Sequence, residues 1–323
     1  MTEGGLREEP ALIPKKEETA VSRMRDRLGP WLFVAPAALL ILVFIVYPTF
    51  WTMRLSLFGG LGFNFTRFVG FDNYVKLLTN DPQFLDLSKF PPGGAVVNNI
   101  FWLVVYTPAV IFVGLVVAVL ADKVKYESIM KSVVFTPMAI AATAAAIIWL
   151  FVYSADPRIG ILNALLTTVV PGAEPVSFVG NVDLVNPAII IAAIWINAGF
   201  TTVVLSAALK GIPVEIIEAA RVDGASGPQV FTRIQVPMLA PTISVVAVTM
   251  IIYVIKVFDL IFVMGGNNGG PLGSARVVAF SQYVETFNNG RAGYGSAIAV
   301  LMLVVVLPFI LLNVKRFRAE AGR

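Results

Sequence analysis

The chain has 323 residues, 57 % hydrophobic and 14 % charged, where a soluble domain carries about a quarter charged. Its net charge is +4, and it contains neither cysteine nor histidine. Disulfides, thiolate chemistry and cysteine-ligated metals are thereby excluded, and with histidine go the commonest metal ligand and the usual proton shuttle.

Residues 1–29 are polar, with Pro10, Pro14 and the run "KKEE", and read as a solvated tail that is helical near Val21–Leu28. The first apolar run, Pro30–Trp51, is too long and too far along to be a cleaved signal peptide, and no small-residue cleavage site follows it. It is expected to be the first of six membrane helices. The others are Ile100–Ala121, Val133–Tyr153, Pro187–Leu209, Ala240–Met264 and Tyr294–Val314. Each reaches the roughly 17–25 residues that cross about 30 Å of hydrocarbon. The expected fold class is an all-α integral membrane protein: a six-helix transmembrane domain over 30–314, with tails at 1–29 and 315–323.

The connections carry turn chemistry. Loop one (52–99) holds the aromatics of "FGFNFTRFVGFDNYVKLL", which belong at the headgroup level or cap the bundle, a short amphipathic helix near Phe71–Leu78, and a turn at "FPPGG". Loop three (154–186) contains "DPRIGILN" and "PGAEP". Within the spans, Pro108, Pro137 and Pro308 each remove a backbone hydrogen bond and can kink a helix, while the small residues of Ala139–Trp149 permit close helix contact. The glycine-rich "GGNNGG" lacks the lysine and the following helix that a phosphate loop needs.

Sixteen of the 24 lysines and arginines fall in the N-terminal tail, loops two (122–132) and four (210–239) and the C-terminal tail. That side is expected to be cytoplasmic, with both termini on it. The positive charge then serves topology beside an anionic inner leaflet, and no nucleic acid is expected as a partner.

Loop four holds "EAARVDGASGPQVFTRIQVP", Glu218–Pro237. Pro213 suits the first turn of a helix, "VEIIEAARV" continues it, and Gly224 can close it in a left-handed conformation. Ser226 or Gly227 can cap a second start with Pro228 behind it, and Pro237 is expected to end that short helix. The result is two short helices bent at Asp223–Gly224. Their apolar residues Ile216, Ile217, Val222 and Phe231 fit either docking into a partner's groove or lying on lipid.

Polar residues inside the spans are few. Asn197, Thr201 and Thr202 stand in the fourth; Tyr253, Lys256 and Asp259 in the fifth. Ionisable residues within spans usually face the interior. Lys256 and Asp259, three apart, can pair on one helix face, either as a structural ion pair or as part of a polar path. An ion-coupled secondary transporter using them as a relay is a rival reading that gives loop four no role. A receptor or scaffold subunit would need no polar path.

The spacing E-A-A, three residues, Gly, nine residues, Ile, two residues, Pro resembles the signature loop of ABC importer permeases. Glu218, Ala219, Ala220, Gly224, Ile234 and Pro237 fall on its positions, Asp223 stands beside the glycine, and Val236 replaces the usual leucine. Much of residues 28–318 is similar to the maltose-type, binding-protein-dependent sugar permeases. The likeness runs through "PWLFVAPAALLILVFIVYP", "NNIFWLV", "VVFTPMAIAATAAAIIWLF", "GILN" and "KVFDLIFVMGGNNGGP". It continues into "GYGSAIAVLMLVVVLPFILLN", while "MGGNNGGP" departs from a more compact Thr-Gly-Gly-Gly-Pro. The resemblance implies a transport subunit and not an enzyme, in a bacterial or archaeal inner membrane. It implies a homologous second permease, two ATPase subunits that use ATP and magnesium, and an extracytoplasmic sugar-binding protein. It places Asn197 and Phe200 in a sugar pocket and implies import of a di- or oligosaccharide such as an α-glucoside; a polyol or glycerol-phosphate-type solute is the alternative.

Overall fold

The computed structural model describes residues 32–62, 67–88, 93–122 and 124–321, with side chains through 315. The expected N-terminal tail with its helix near Val21–Leu28, the last two residues of the C-terminal tail and Phe90–Pro92 of the "FPPGG" turn lie outside the described residues. The chain divides into two units, Met1–Trp51 and Thr52–Arg323. In the first, helix α1 (Leu32–Leu55) begins at Leu32. Its residues Leu42–Val46 form a wide π turn, in which the Tyr47 N–H reaches back to the Leu42 carbonyl, and Pro48 follows. A proline offers no N–H and crowds the carbonyl four residues earlier, so an extra residue in the preceding turn relieves the helix.

The second unit starts with a minimal antiparallel pair, β1 (Phe58–Gly59) and β2 (Arg67–Phe68). Helix α2 (Asp72–Thr79) matches the amphipathic helix expected there, with Asp72 in its first turn, where the helix dipole favours an acid. Leu77, on its apolar face, is fully buried in a cluster with Phe84, Tyr294 and Ile298. Tyr74 bonds Ser56 at 2.6 Å, so this part of loop one caps the bundle.

Among the described residues, five helices are long and apolar enough to cross a membrane: α1, α3 (Ala95–Ala121), α7 (Val185–Lys210), α9 (Gly227–Lys256) and α12 (Ala292–Lys315, running on to Ala321). The third expected span is not one rod. Helices α4 (Glu127–Ala139) and α5 (Ala142–Val152) meet at a bend of 102° and make a sixth span if counted together. Pro137 explains the bend. It closes α4 in a tight 3-10 turn, and Ile140 and Ala141 are extended, with ψ of 133° and 137°. Pro108 and Pro308 lie inside α3 and α12. Helix α6 (Ile161–Val169) is short and belongs to loop three.

Helix α7 is the axis of the second unit: 67 % of its most apolar window is buried, against 28 % for α3. It is apolar all round, as suits a helix buried along most of its length. Ile189, Ala193 and Leu205 are fully buried together with Trp102, Tyr106 and Val110 of α3 and Ala145 and Ala146 of α5. Small residues set the distances. A Cβ on Gly114 would lie 2.1 Å from Thr201 Oγ1, and one on Gly199 would lie 2.5 Å from Phe135 Cα. Close backbone approach of this kind is what holds helices together where lipid competes for apolar contact.

Candidate functional site

Between α7 and α9 stands a helix α8 (Val214–Val222) with extended Pro213 at its N-cap (ψ 130°), one residue ahead of the first-turn position expected for it. Its end is fixed by Gly224, whose φ of +84° is open to glycine and strained for other residues. The Gly224 N–H bonds the Arg221 carbonyl at 3.0 Å, and the Ala225 N–H bonds that of Ala220 at 2.9 Å, a paired closure of the last turn. Immediately afterwards the Ser226 N–H bonds Gln229 Oε1 at 2.7 Å, and α9 begins with Gly227 and Pro228. One expectation is corrected: Pro237 does not end a separate helix. A π turn over Phe231–Gln235, in which the Val236 N–H reaches the Phe231 carbonyl, absorbs the proline, and the run continues to Lys256. The arrangement at Pro48 is the same.

Glu218, Ala219, Asp223, Gly224 and Pro237 are exposed, and Ala220 and Ile234 are half-buried. The apolar residues divide. Val222 is 87 % exposed and Ile216 40 %, whereas Ile217 and Phe231 line a cleft of about 670 Å³ with Leu209, Lys210 and Arg221. Lys210 bonds Glu127 at 2.8 Å, tying the end of α7 to the start of α4.

The polar residues of the spans take up three different positions. Asn197 is buried, donates to the Ala193 carbonyl at 2.9 Å, and is close enough to Tyr253 for their side chains to interact. Tyr253 stacks on Tyr106 with ring centroids 5.3 Å apart. Phe200 packs on the core cluster, half-buried. Thr201 and Thr202 bond the Ala198 carbonyl at 2.9 and 2.7 Å, and Thr201 also reaches the Val110 carbonyl of α3 at 3.2 Å, so it belongs to the α3–α7 contact.

The expected fifth span, Ala240–Met264, is broken. Helix α9 ends at Lys256, Val257 is extended, and α10 (Asp259–Gly265) starts with Asp259 in its first turn. Lys256 and Asp259 therefore do not share one helix face, and no ion pair joins them among the described residues. Both are exposed on a cleft of about 270 Å³ that Tyr253, Thr249, Ala142 and Phe258 also line.

A polar cluster that the sequence reading missed lies at the end of these helices opposite α8. Asn98 donates to the carbonyls of Ser274 and Arg276, both at 2.8 Å. Asn186 donates to Ser274 at 2.7 Å and accepts from the Trp102 indole at 3.1 Å. Buried Arg276 reaches Gln83 at 2.6 Å, Ser281 at 3.0 Å and Glu285 at 3.8 Å, and Arg291 also pairs with Glu285. These groups gather around Ser274 and Arg276, between the glycine-rich turn, where Leu272 is 96 % exposed at φ +55°, and α11 (Val278–Tyr283). The signal available in the sequence was position: asparagines in the first turns of two spans, where helices leave backbone groups unpaired.

Residues 87–315 match the family model described as "Binding-protein-dependent transport system inner membrane component". The chain is 42 % identical over 293 residues to an osmoprotective compounds uptake permease of Synechocystis sp., covering 90 % of this chain and 99 % of that one. It is 38 % identical over 305 residues to an alpha-glucoside transport system permease of Rhizobium meliloti, covering 93 % and 85 %. A bacterial importer of the acidic polysaccharide alginate has a subunit of the same fold, with a TM-score of 0.74 at 23 % identity over 92 % of this chain and 99 % of that one.

Proposed function

The chain belongs to the family of binding-protein-dependent transport system inner membrane components, and on that footing we propose that it is one permease half of an ATP-driven sugar importer. The observation that carries this reading is the exposed α8–Gly224–α9 element, which bears Glu218, Ala219, Ala220, Asp223, Gly224, Ile234 and Pro237 on a locally rigid turn. Among the described residues, a side chain at Gly224 would meet nothing within 4 Å, which leaves the surface there open to another protein.

In this reading α8 sits in a cleft of an ATPase subunit, two copies of which bind ATP and magnesium, and a homologous second permease completes a six-plus-six bundle. The α4–α5 pair counts as one bent span, residues 30–314 form the permease domain, and both termini and the 210–239 loop face the cytoplasm, as the lysine and arginine count favours. An external binding protein delivers the solute. The relatives named for osmoprotective compounds and an alpha-glucoside favour a neutral, hydroxyl-rich di- or oligosaccharide. Asn197, Phe200, Tyr253, Lys256 and Asp259 are its path candidates; Thr201 is spent in the helix contact. ATP-driven closure of the ATPase pair would move α8 as a rigid body and rock the bundle.

The test is sugar-dependent ATP hydrolysis by the assembled complex with Gly224→Asp. Aspartate at φ +84° strains the turn and adds charge at the docking surface. The permease should still insert while sugar-stimulated hydrolysis is lost or the ATPase dissociates. Unchanged stimulation would sink the docking account.

A further inference from the structure

Nothing in the stretch "YVIKVFDLIF" demands a break, since the fifth apolar run reads as one continuous span. The chain nevertheless leaves the helix at Val257 and Phe258, whose φ/ψ of −59°/124° and −139°/−57° free the Val254 carbonyl from the Phe258 amide that a continuous helix would give it. Val254 is fully buried, so water cannot take that place. The partner is a side chain from another helix. Asn99 of α3 donates its Nδ2 to the Val254 carbonyl at 2.9 Å. Its Oδ1 accepts the Val278 N–H at 2.7 Å, and Val278 opens α11, so that N–H has no partner within its own helix.

We infer that Asn99 is the positioning residue of the cleft at the α9–α10 break: one amide group caps the end of α9 and the start of α11, and so holds Tyr253, Lys256 and Asp259 where they line the cleft. A primary amide suits the task, because it donates and accepts in one plane. Aspartate at this position accepts only, and leucine does neither. Without the cap, the lowest route to a paired Val254 carbonyl is for α9 to run on through Phe258. That would bring Lys256 and Asp259 onto one helix face, three residues apart. Asn99 is not among the residues lining the cleft. It acts through the backbone.

The inference rests on the cleft belonging to the sugar path, and the experiment separates the two. The chain has no cysteine of its own, so Lys256→Cys and Asp259→Cys can each be labelled with a membrane-impermeant maleimide in the complete importer in lipid vesicles. Labelling is compared between the Asn99 background and Asn99→Leu or Asn99→Asp. Sugar uptake and ATP hydrolysis are then measured on the Asn99 variants without the added cysteine. Labelling at both positions should change several-fold in Asn99→Leu, with a smaller change in Asn99→Asp. The maximal uptake rate should fall with the half-saturating sugar concentration unmoved, because the binding protein sets that concentration. Altered labelling with normal uptake upholds the positioning role and overturns the path reading of this cleft. Labelling that stays unchanged in both variants overturns the positioning role itself. Should Asn99→Leu fail to reach the membrane, Asn99→Asp carries the same comparison.

Discussion

The turn at Gly224 and the break at Val257–Phe258 are both places where a helix stops, and they are held in opposite ways. At Gly224 the hydrogen bonds that close the turn come from within five residues, Arg221, Ala220 and Gln229, and most of the residues around it are exposed. At the α9–α10 break the partner of the Val254 carbonyl lies 155 residues away in sequence, and the neighbouring ties from Asn98 to Ser274 and from Arg276 to Gln83 span 176 and 193. The difference follows from solvent. A turn in water can leave an unpaired carbonyl to water, so a glycine and two caps suffice. A helix end among apolar spans has no such recourse, and other helices must supply its partners. The exposed Gly224 turn can therefore be rigid by itself, whereas an irregular segment inside a bundle is only as rigid as its neighbours.

The sharpest way to break that comparison is to remove the most buried of the distant partners. Arg276 is 8 % exposed and its partner Glu285 3 %. Deleting one member of a buried charge pair strands the other, which typically costs about 3–5 kcal/mol. Arg291 still faces Glu285, so Arg276→Ala is expected near the lower end of that range, as a reduced unfolding midpoint in detergent. Arg276→Lys should recover only part, because an ammonium cannot serve Gln83, Ser281 and Glu285 from one fork. A loss within the scatter of surface mutations would mean that the long-range ties are ornament.

Next in size is the α3–α7 contact, where the distant partner is steric and not polar. Gly114→Ala puts a methyl 2.1 Å from Thr201 Oγ1 and 2.6 Å from Thr201 Cβ. Overpacking of this kind costs about 1–3 kcal/mol. Combining it with Thr201→Ala removes the nearer clash, so the double variant should lose less than the two single losses added, with a coupling of about 0.5 kcal/mol or more. Strict additivity in the thermal unfolding of all four proteins would show that the helices can slide apart freely, and would weaken the case for a fixed axis at α7.

The same division decides what was legible in the sequence. The apolar runs announce their helices because length and hydropathy are local properties. The α8–α9 turn was readable almost residue by residue, because Pro213, Gly224, Ser226 and Pro228 act on their immediate neighbours. Even there Pro237 misled. A proline predicts a stop, but a π turn beforehand lets the helix carry it. Pro137 gave warning of the bend at Ile140, though not of its size. Nothing near Val257 marks the second break, and the side chain that pairs the freed Val254 carbonyl, Asn99, lies 155 residues away. Asn197 and Tyr253, read from different spans, do come together, while Lys256 and Asp259 do not pair. Thr201 could not be assigned to a helix contact by sequence, because α7 is apolar on every face and periodicity cannot say which side meets α3.

The smallest effect belongs to the local class and tests it from the other end. In loop three, the Asp156 carboxylate takes its hydrogen bonds from Arg158: Arg158 donates its backbone N–H to Asp156 Oδ1 at 3.0 Å and its Nη2 to Oδ2 at 2.7 Å. The side-chain bond from Arg158, then the backbone one, hold the Asp156 carboxyl down at about 2 from the usual 3.8. A depressed carboxylate stabilises the fold above its ordinary pKa, and that contribution is lost as pH falls through the folded value. The difference in unfolding midpoint between the native chain and Asp156→Asn should accordingly be constant above about pH 4 and shrink toward zero near pH 2. It should be small throughout, because Arg158 is 89 % exposed and salt screens the pair. A large difference, or one that persists at pH 2, would mean that Asp156 reaches beyond its own turn. Asn163 makes that a real contest, for it is fully buried and bonds both the Ser154 and Val176 carbonyls across the same loop. If loop three is held by Asn163 and merely decorated by Asp156, removing the carboxylate leaves its partners in place and the loop intact.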